Sequence, residues 1–340
     1  MYGLVTARYK KYPMVKTEGV QSLPRMAVFG SEQSDTSLQR IASLVGLGLD
    51  NVVLIETDNR GCMDPIALDK AISRATKEGV VPILVCATSG TPTLGSCDAL
   101  DRIANVCQNH QVWLHVDAYN LGGVLLSDVH RHLMHGINMA DSVAWSPHGL
   151  LGVPLDCTVF LIKEKGLLDS CNKLEATYLF QRDKFYDVAY DIGDQSVQCG
   201  RKVDSGKLWI MWKAKGDIGM AKLVESAFTQ ARYFMDELTI RDGFRPVLPE
   251  FQGNKVGFWY IPPRHRNMNE TEDWWAEIGK VSLAIKKRLT LKGSVILNCE
   301  SVKRKGLSHF LQLTTDSSSP VSQQGVKVVL DEIVNAGNNL

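Results

Sequence analysis

An α/β fold built on a mostly parallel sheet is predicted by three features of this 340-residue chain. Short apolar runs bounded by turn residues recur through its first half, helical stretches separate them, and beyond Lys202 the rhythm changes to one long helix followed by short strands. Runs that stay apolar throughout suit strands buried on both faces. Their alternation with helices suits a parallel sheet covered on both sides, whose ligand site lies at the carboxyl ends of the strands.

The predicted strands are Met26 to Phe29, Val52 to Glu56, Val81 to Ala87, Val112 to Asp117, Ser142 to Trp145 and Cys157 to Lys163. Asp64 to Lys77 reads as a helix because an Asp stands at the cap, Pro65 follows it, and Gly79 lies just past the end. Asp98 to Asn109 reads the same way. Further on come a long helix from Lys207 to Thr239, a hairpin from Phe244 to Ile261 and a helix from Asp273 to Lys292. Two short strands, Val295 to Asn298 and His309 to Thr314, and a closing helix near Val326 to Asn335 complete the chain. This pattern divides it into a large domain over residues 1–205 and, over 206–340, the long helix with a small C-terminal α+β domain. No internal repeat is visible, and Thr314 to Pro320 is a polar loop.

A net charge of +1 and 44% hydrophobic residues describe a globular chain with enough apolar material for two domains. No charge excess points to nucleic acid or to a membrane surface. The N-terminus lacks the apolar core of a signal peptide, and no later run is long enough to span a bilayer, so a cytoplasmic setting is the default expectation. The eight cysteines form no C-x-x-C pair and several sit in apolar runs, which favours reduced, buried thiols over disulfides or zinc. His130-Arg131-His132-Leu133-Met134-His135 invites a metal reading, but acidic and cysteine partners are absent nearby and a solvated helix end is the better one. No metal site is expected.

Three places carry candidate chemistry. Asp117, in Leu114-His115-Val116-Asp117-Ala118, ends an apolar strand, where a carboxylate needs a partner; it either binds a ligand or caps the next turn. The hydroxyl-rich Ala87-Thr88-Ser89-Gly90-Thr91-Pro92-Thr93 follows a strand and reads equally as a ligand-contacting loop or an ordinary turn. The third is the stretch Ser142-Val143-Ala144-Trp145-Ser146-Pro147-His148-Gly149.

That last stretch resembles the active-site loop of the group II pyridoxal-phosphate decarboxylases. Thr88-Ser89-Gly90-Thr91, His115-Val116-Asp117-Ala118, Pro147-His148, Tyr178-Leu179-Phe180-Gln181, Gln198-Cys199-Gly200-Arg201 and Met211-Trp212-Lys213-Ala214 occur in that family's order and spacing. The resemblance runs the length of the chain, and its nearest branch is the glutamate, cysteine sulfinate and aspartate 1-decarboxylases. It implies the PLP-dependent transferase fold type I, with a seven-stranded-type sheet, pyridoxal phosphate as cofactor, a small amino-acid substrate and an obligate homodimer; a member that has lost its chemistry would pair with itself or with an active paralogue. By position, it implies that Asp117 pairs with the pyridinium nitrogen, that Thr88 contacts the ring and that His148 and Ser146 lie near the phosphate. Tyr178 falls on the loop that covers the substrate and protonates the product.

The departures fall at the reacting centre. Gly149 stands where the family has the lysine that holds the cofactor as a Schiff base, and glycine offers no amine. Asp35 replaces the histidine that stacks on the ring, Tyr119 a small alanine, Ser146 an asparagine, and Leu311 the arginine expected to grip the substrate carboxylate. The chain also begins just after the family's Gly-Gly-Ser-like phosphate loop. These losses imply a catalytically impaired decarboxylase homologue, or pseudoenzyme. The alternative is an active carboxy-lyase of weak or altered specificity toward glutamate, aspartate or cysteine sulfinate, holding its cofactor noncovalently. A truncated, poorly folding product is a third reading.

Overall fold

The computed structural model describes residues 1–174, 183–187, 192–198, 203–250, 252–317 and 321–340. Two short helices, α1 (Tyr2–Lys11) and α2 (Val15–Glu18), precede strand β1 (Met26–Ser31). There follow α3 (Ser37–Leu44), β2 (Val52–Ile55), α4 (Pro65–Lys77), β3 (Val81–Thr88), α5 (Leu100–His110), β4 (Trp113–Ala118) and β5 (Ser142–Trp145). After these come α6 (Pro147–Leu151), β6 (Val159–Ile162) and α7 (Leu167–Asn172). The six strands lie in the order β2-β1-β3-β4-β5-β6. Parallel pairing joins β1 through β5, while β6 runs antiparallel to β5. The sheet is thus mostly parallel, with six strands among the described residues where a seven-stranded type was expected.

Strand β3 is buried along nearly all of Val81–Thr88, which is why it reads as an unbroken apolar run. Its side chains alternate between two layers: Val85 and Ala87 pack with α4, α5 and part of a later helix, while Leu84 and Cys86 pack with Leu4 of α1 and Leu38 of α3. Helix α4 begins as its sequence signals, with the Asp64 carboxylate accepting the Ile66 N–H at 2.8 Å and Pro65 at the first position. Helix α5 does not. Its cap is Ala99, and Asp98 is drawn inward instead.

Helix α8 (Asp204–Ile240) is broken at Gly216, whose φ of 66° is left-handed. It leads into β7 (Phe244–Pro246), β8 (Lys255–Tyr260), α9 (Glu272–Lys292), β9 (Asn298–Val302), β10 (Leu307–Thr314) and α10 (Gln323–Gly337), with an antiparallel sheet ordered β7-β8-β10-β9. The strand expected at Val295 to Asn298 begins only at Asn298. Leu297 is buried and Ile296 is exposed, so that apolar run packs through one residue and does not pair. Met220, Val224 and Phe228 of α8 belong to the large-domain core, whereas Ala231, Phe234 and Leu238 belong to the small-domain core. The packing therefore changes lobes between Phe228 and Ala231, within the helix, and not at the predicted division after residue 205.

Candidate functional site

The strand order reverses between β1 and β3, which places a switch point where their carboxyl ends diverge. A cavity of about 420 Å³ opens there. Asp35 and Ser37 line it after β1, Thr88, Gly90 and Pro92 at and after β3, Asp117, Tyr119 and Asn120 at and after β4, and Lys255 from the start of β8.

Thr88 and Asp117 are paired neighbours on adjacent strands, so the parallel register alone brings a hydroxyl and a carboxylate side by side. Thr88 is 3% exposed, and its Oγ1 has no hydrogen-bond partner among the described residues. Asp117 is half-buried and accepts the Tyr119 N–H at 3.1 Å. Loss of solvation pushes its carboxyl above the ordinary range, the Tyr119 N–H opposes that, and the nearby Asp35 charge adds to it. Asp35 itself accepts the Ser37 N–H at 2.7 Å, and Tyr119 is 48% exposed.

The turn after β3 is set by Gly90, at φ 89°, where a Cβ would lie 2.8 Å from Leu121 Cγ and 2.9 Å from Asn120 Cβ. Asn120 Nδ2 donates to Gly90 O at 2.7 Å. Asp98 anchors the other side: its carboxylate accepts the Met63 and Thr88 N–H groups, each at 2.7 Å, and burial pushes its pKa up to about 6 against those two bonds. In the sequence Asp98 has the look of a helix start, and its tertiary partners override that local signal. Thr91 is also structural, its Oγ1 accepting the Ser96 N–H at 3.0 Å.

Asp35, Thr88, Asp117 and Tyr119 therefore converge on one cavity. Ser146 caps α6 and His148 and Gly149 lie within its first turn, outside the cavity lining. Ser146 Oγ donates to Cys157 O at 3.3 Å and His148 Nδ1 to Val153 O at 3.1 Å. Gly149 is open: a Cβ there would meet nothing within 4 Å. Tyr178 lies outside the described residues.

Leu311 requires correction. It is fully buried in the small-domain core, opposite Phe258 and Cys299 on the flanking strands, and lines no part of the cavity. Alternation along β10 turns Leu311 and Leu313 into that core, while Gln312 points the other way, its amide donating to Thr93 O. A one-residue difference in register thus changes which side chain reaches the large domain.

Lys255, which no sequence motif singles out, completes the lining. Its Nζ donates to Pro92 O at 2.7 Å, and burial pushes its pKa down, with Glu300 opposing. The only trace in the sequence is a lysine between Asn254 and Val256, at the start of the second hairpin strand.

Among the described residues no two cysteines form a disulfide, and five of the seven are buried. Among the same residues, no helix is long and apolar enough to cross a membrane. His130 stacks on Phe228 at 3.9 Å and His132 Nδ1 donates to Val129 O.

The family model described as the pyridoxal-dependent decarboxylase conserved domain matches residues 1–261. The chain belongs to that family. All of it aligns, at 44% identity, with 65% of the acidic amino acid decarboxylase GADL1 of Homo sapiens, and at 44% with 68% of the human cysteine sulfinic acid decarboxylase. It thus spans about two thirds of the length of these relatives. The crystal structure of mouse CSAD superposes with a TM-score of 0.93 at 41% identity, covering 100% of this chain and 70% of that one. The Oryza sativa TDC structure with PLP and tryptamine gives 0.88 at 25% identity, covering 99% and 67%.

Pyridoxal phosphate is the cofactor of this decarboxylase family. The residues present fit its ring end, where the orphaned Thr88 hydroxyl and the Asp117 carboxyl adjoin. Ser146 and His148, assigned to the phosphate end by resemblance, are bonded instead to the carbonyls of Cys157 and Val153.

Proposed function

We propose that this chain is a decarboxylase homologue that no longer decarboxylates. The observation that carries the reading is Gly149 directly after Pro147-His148, where the family resemblance calls for the cofactor lysine. Pyridoxal phosphate, when bound, supplies an electron sink for the carbanion that decarboxylation leaves. Asp117 would keep a proton on its ring nitrogen, and the Thr88 hydroxyl would orient the ring. Position 149 has no amine to exchange with the substrate or to return a proton. Asp35 offers neither a flat stacking surface nor, when ionised, a proton. Gln312 presents an amide to the large domain and not a guanidinium, so a bidentate grip on a substrate carboxylate is lacking there.

A second reading, a weak carboxy-lyase acting on glutamate, aspartate or cysteine sulfinate, is favoured by the survival of Asp117 and Thr88 together. The chain with added pyridoxal phosphate is expected to release no CO2 from these three acids, and turnover near that of an active relative would overturn the first reading. Gly149→Lys tests the pocket. The open space at its Cβ and its helical backbone mean that the substitution should fold at least as well as the parent. It is expected to gain a cofactor held covalently at position 149, found on that peptide after borohydride reduction and mass spectrometry.

The proposal includes pairing with a second copy or with an active paralogue, in the cytoplasm. Exposed Trp209, Ile210 and Ile218 on the first part of α8 support an apolar contact surface. A monomer at micromolar concentration in analytical ultracentrifugation, unchanged by an added paralogue, would sink this part.

A further inference from the structure

We propose that Lys255 is the working amine of this cavity, placed to form a carbon–nitrogen bond with the aldehyde of a ring ligand seated on Asp117. The inference rests on the reading that the cavity accepts pyridoxal phosphate, and it does not depend on whether decarboxylation survives.

Three observations point to it. Lys255 is the one lysine among the described residues lining the cavity, and it enters from the small lobe while Thr88 and Asp117 form the large-lobe wall. Its stem is held in place: Gly95 leaves room for it, since a Cβ at that glycine would come within 3.2 Å of Lys255 Cβ. Its Nζ donates to the carbonyl of Pro92 at 2.7 Å, a partner that fixes the position of nitrogen without the full charge that would hold it as an ammonium ion. Burial favours the neutral amine further, and it is the neutral amine that attacks. Glu300, across the small sheet, acts against this, and Asp35 and Asp117 are the other ionisable groups of the cavity. The amine missing at position 149 thus has a counterpart within the cavity, on a residue of the small lobe.

The chemistry balances without an oxidant or reductant. The Lys255 nitrogen lone pair attacks the aldehyde carbon and the carbon–nitrogen bond forms. The two protons that the neutral nitrogen gives up pass to the former carbonyl oxygen, the carbon–oxygen bond breaks as water leaves, and the nitrogen lone pair completes the carbon–nitrogen double bond. Because the nitrogen arrives from a different wall, the bond forms away from the helix that carries Gly149, which fits capture of an aldehyde without the turnover that the family performs.

The test uses the full chain. Incubation with pyridoxal phosphate, reduction with borohydride, proteolysis and mass spectrometry should place the reduced adduct on the peptide containing Lys255. In Lys255→Arg, which keeps the charge, that adduct should be lost while labelling of exposed lysines such as Lys222 and Lys327 is unchanged. Asp117→Ala should lower the Lys255 adduct. In the unaltered chain, excess pyridoxamine phosphate, which has no aldehyde, should compete it away, and this arm stands even if a variant fails to fold. Pyridoxal phosphate bound by absorbance with no Lys255 adduct would overturn the inference alone. No binding at all would overturn both it and the reading of the cavity. Labelling spread over surface lysines and indifferent to the competitor would also refute it.

Discussion

Asp98 offers the sharpest test of how the cavity floor is held. Only 2% of it is exposed, and its two oxygens take the N–H groups of Met63 and Thr88. Asp98→Ala leaves both donors without a partner, at about 1–3 kcal/mol each, so a loss of about 2–6 kcal/mol is expected where the carboxyl contributes in full. The pH dependence fixes the sign. Burial raises the folded-state pKa from the ordinary 3.8 to about 6, so the folded chain holds a proton that the unfolded chain releases earlier. The stability linked to that proton is therefore complete below about pH 4 and is lost as pH rises through about 6, an effect of about 3 kcal/mol. Urea unfolding of parent and variant from about pH 4 to pH 7 should show the Asp98→Ala penalty shrinking as pH rises. A penalty that grows with pH would mean that the two N–H bonds outweigh burial, and a flat one would mean that the carboxyl is solvated; either refutes the reasoning.

Two further substitutions test the placement of residues around the cavity. Leu311→Arg should lower stability by about 3–5 kcal/mol, because it puts an unpaired guanidinium into the small-domain core, and it should restore no binding of acidic amino acids. A stable Leu311→Arg chain with improved glutamate binding by calorimetry would show instead that the side chain faces the cavity. Thr88→Val exchanges a hydroxyl that has no partner for a methyl group, so stability should stay level or rise by up to about 1 kcal/mol while pyridoxal phosphate binds more weakly. A thermal destabilisation above about 2 kcal/mol would reveal a hydrogen bond at Thr88 Oγ1.

What could be read from the sequence was what depends on near neighbours. Strand β3 announces itself because both its faces are apolar, and α4 because Asp64, Pro65 and Gly79 punctuate its ends. The convergence of Asp35, Thr88, Asp117 and Tyr119 followed from strand ends meeting at one edge of a parallel sheet. Three features were set by distant partners and so stayed hidden. Asp98 has the look of a helix cap, yet the backbone N–H groups of Met63 and Thr88 claim it. Leu311 and Gln312 are adjacent in sequence and opposite in facing, and only pairing with β8 and β9 decides which one enters the core. Lys255 gains its meaning from Pro92 and Asp117, brought near by the packing of one lobe on the other.

Helix α8 has a consequence for how the molecule comes apart. Because Met220, Val224 and Phe228 are buried in one lobe and Ala231, Phe234 and Leu238 in the other, melting either lobe strips the shared helix of half its cover. The two lobes are therefore coupled as one cooperative unit, and denaturant should produce a single transition in place of two. A protease nick in the loop between β7 and β8 should leave both pieces associated. The same beam sets the spacing between the wall that bears Asp117 and the wall that bears Lys255, so opening the cavity means bending α8. Its left-handed joint at Gly216 lies upstream of that span and offers no hinge within it.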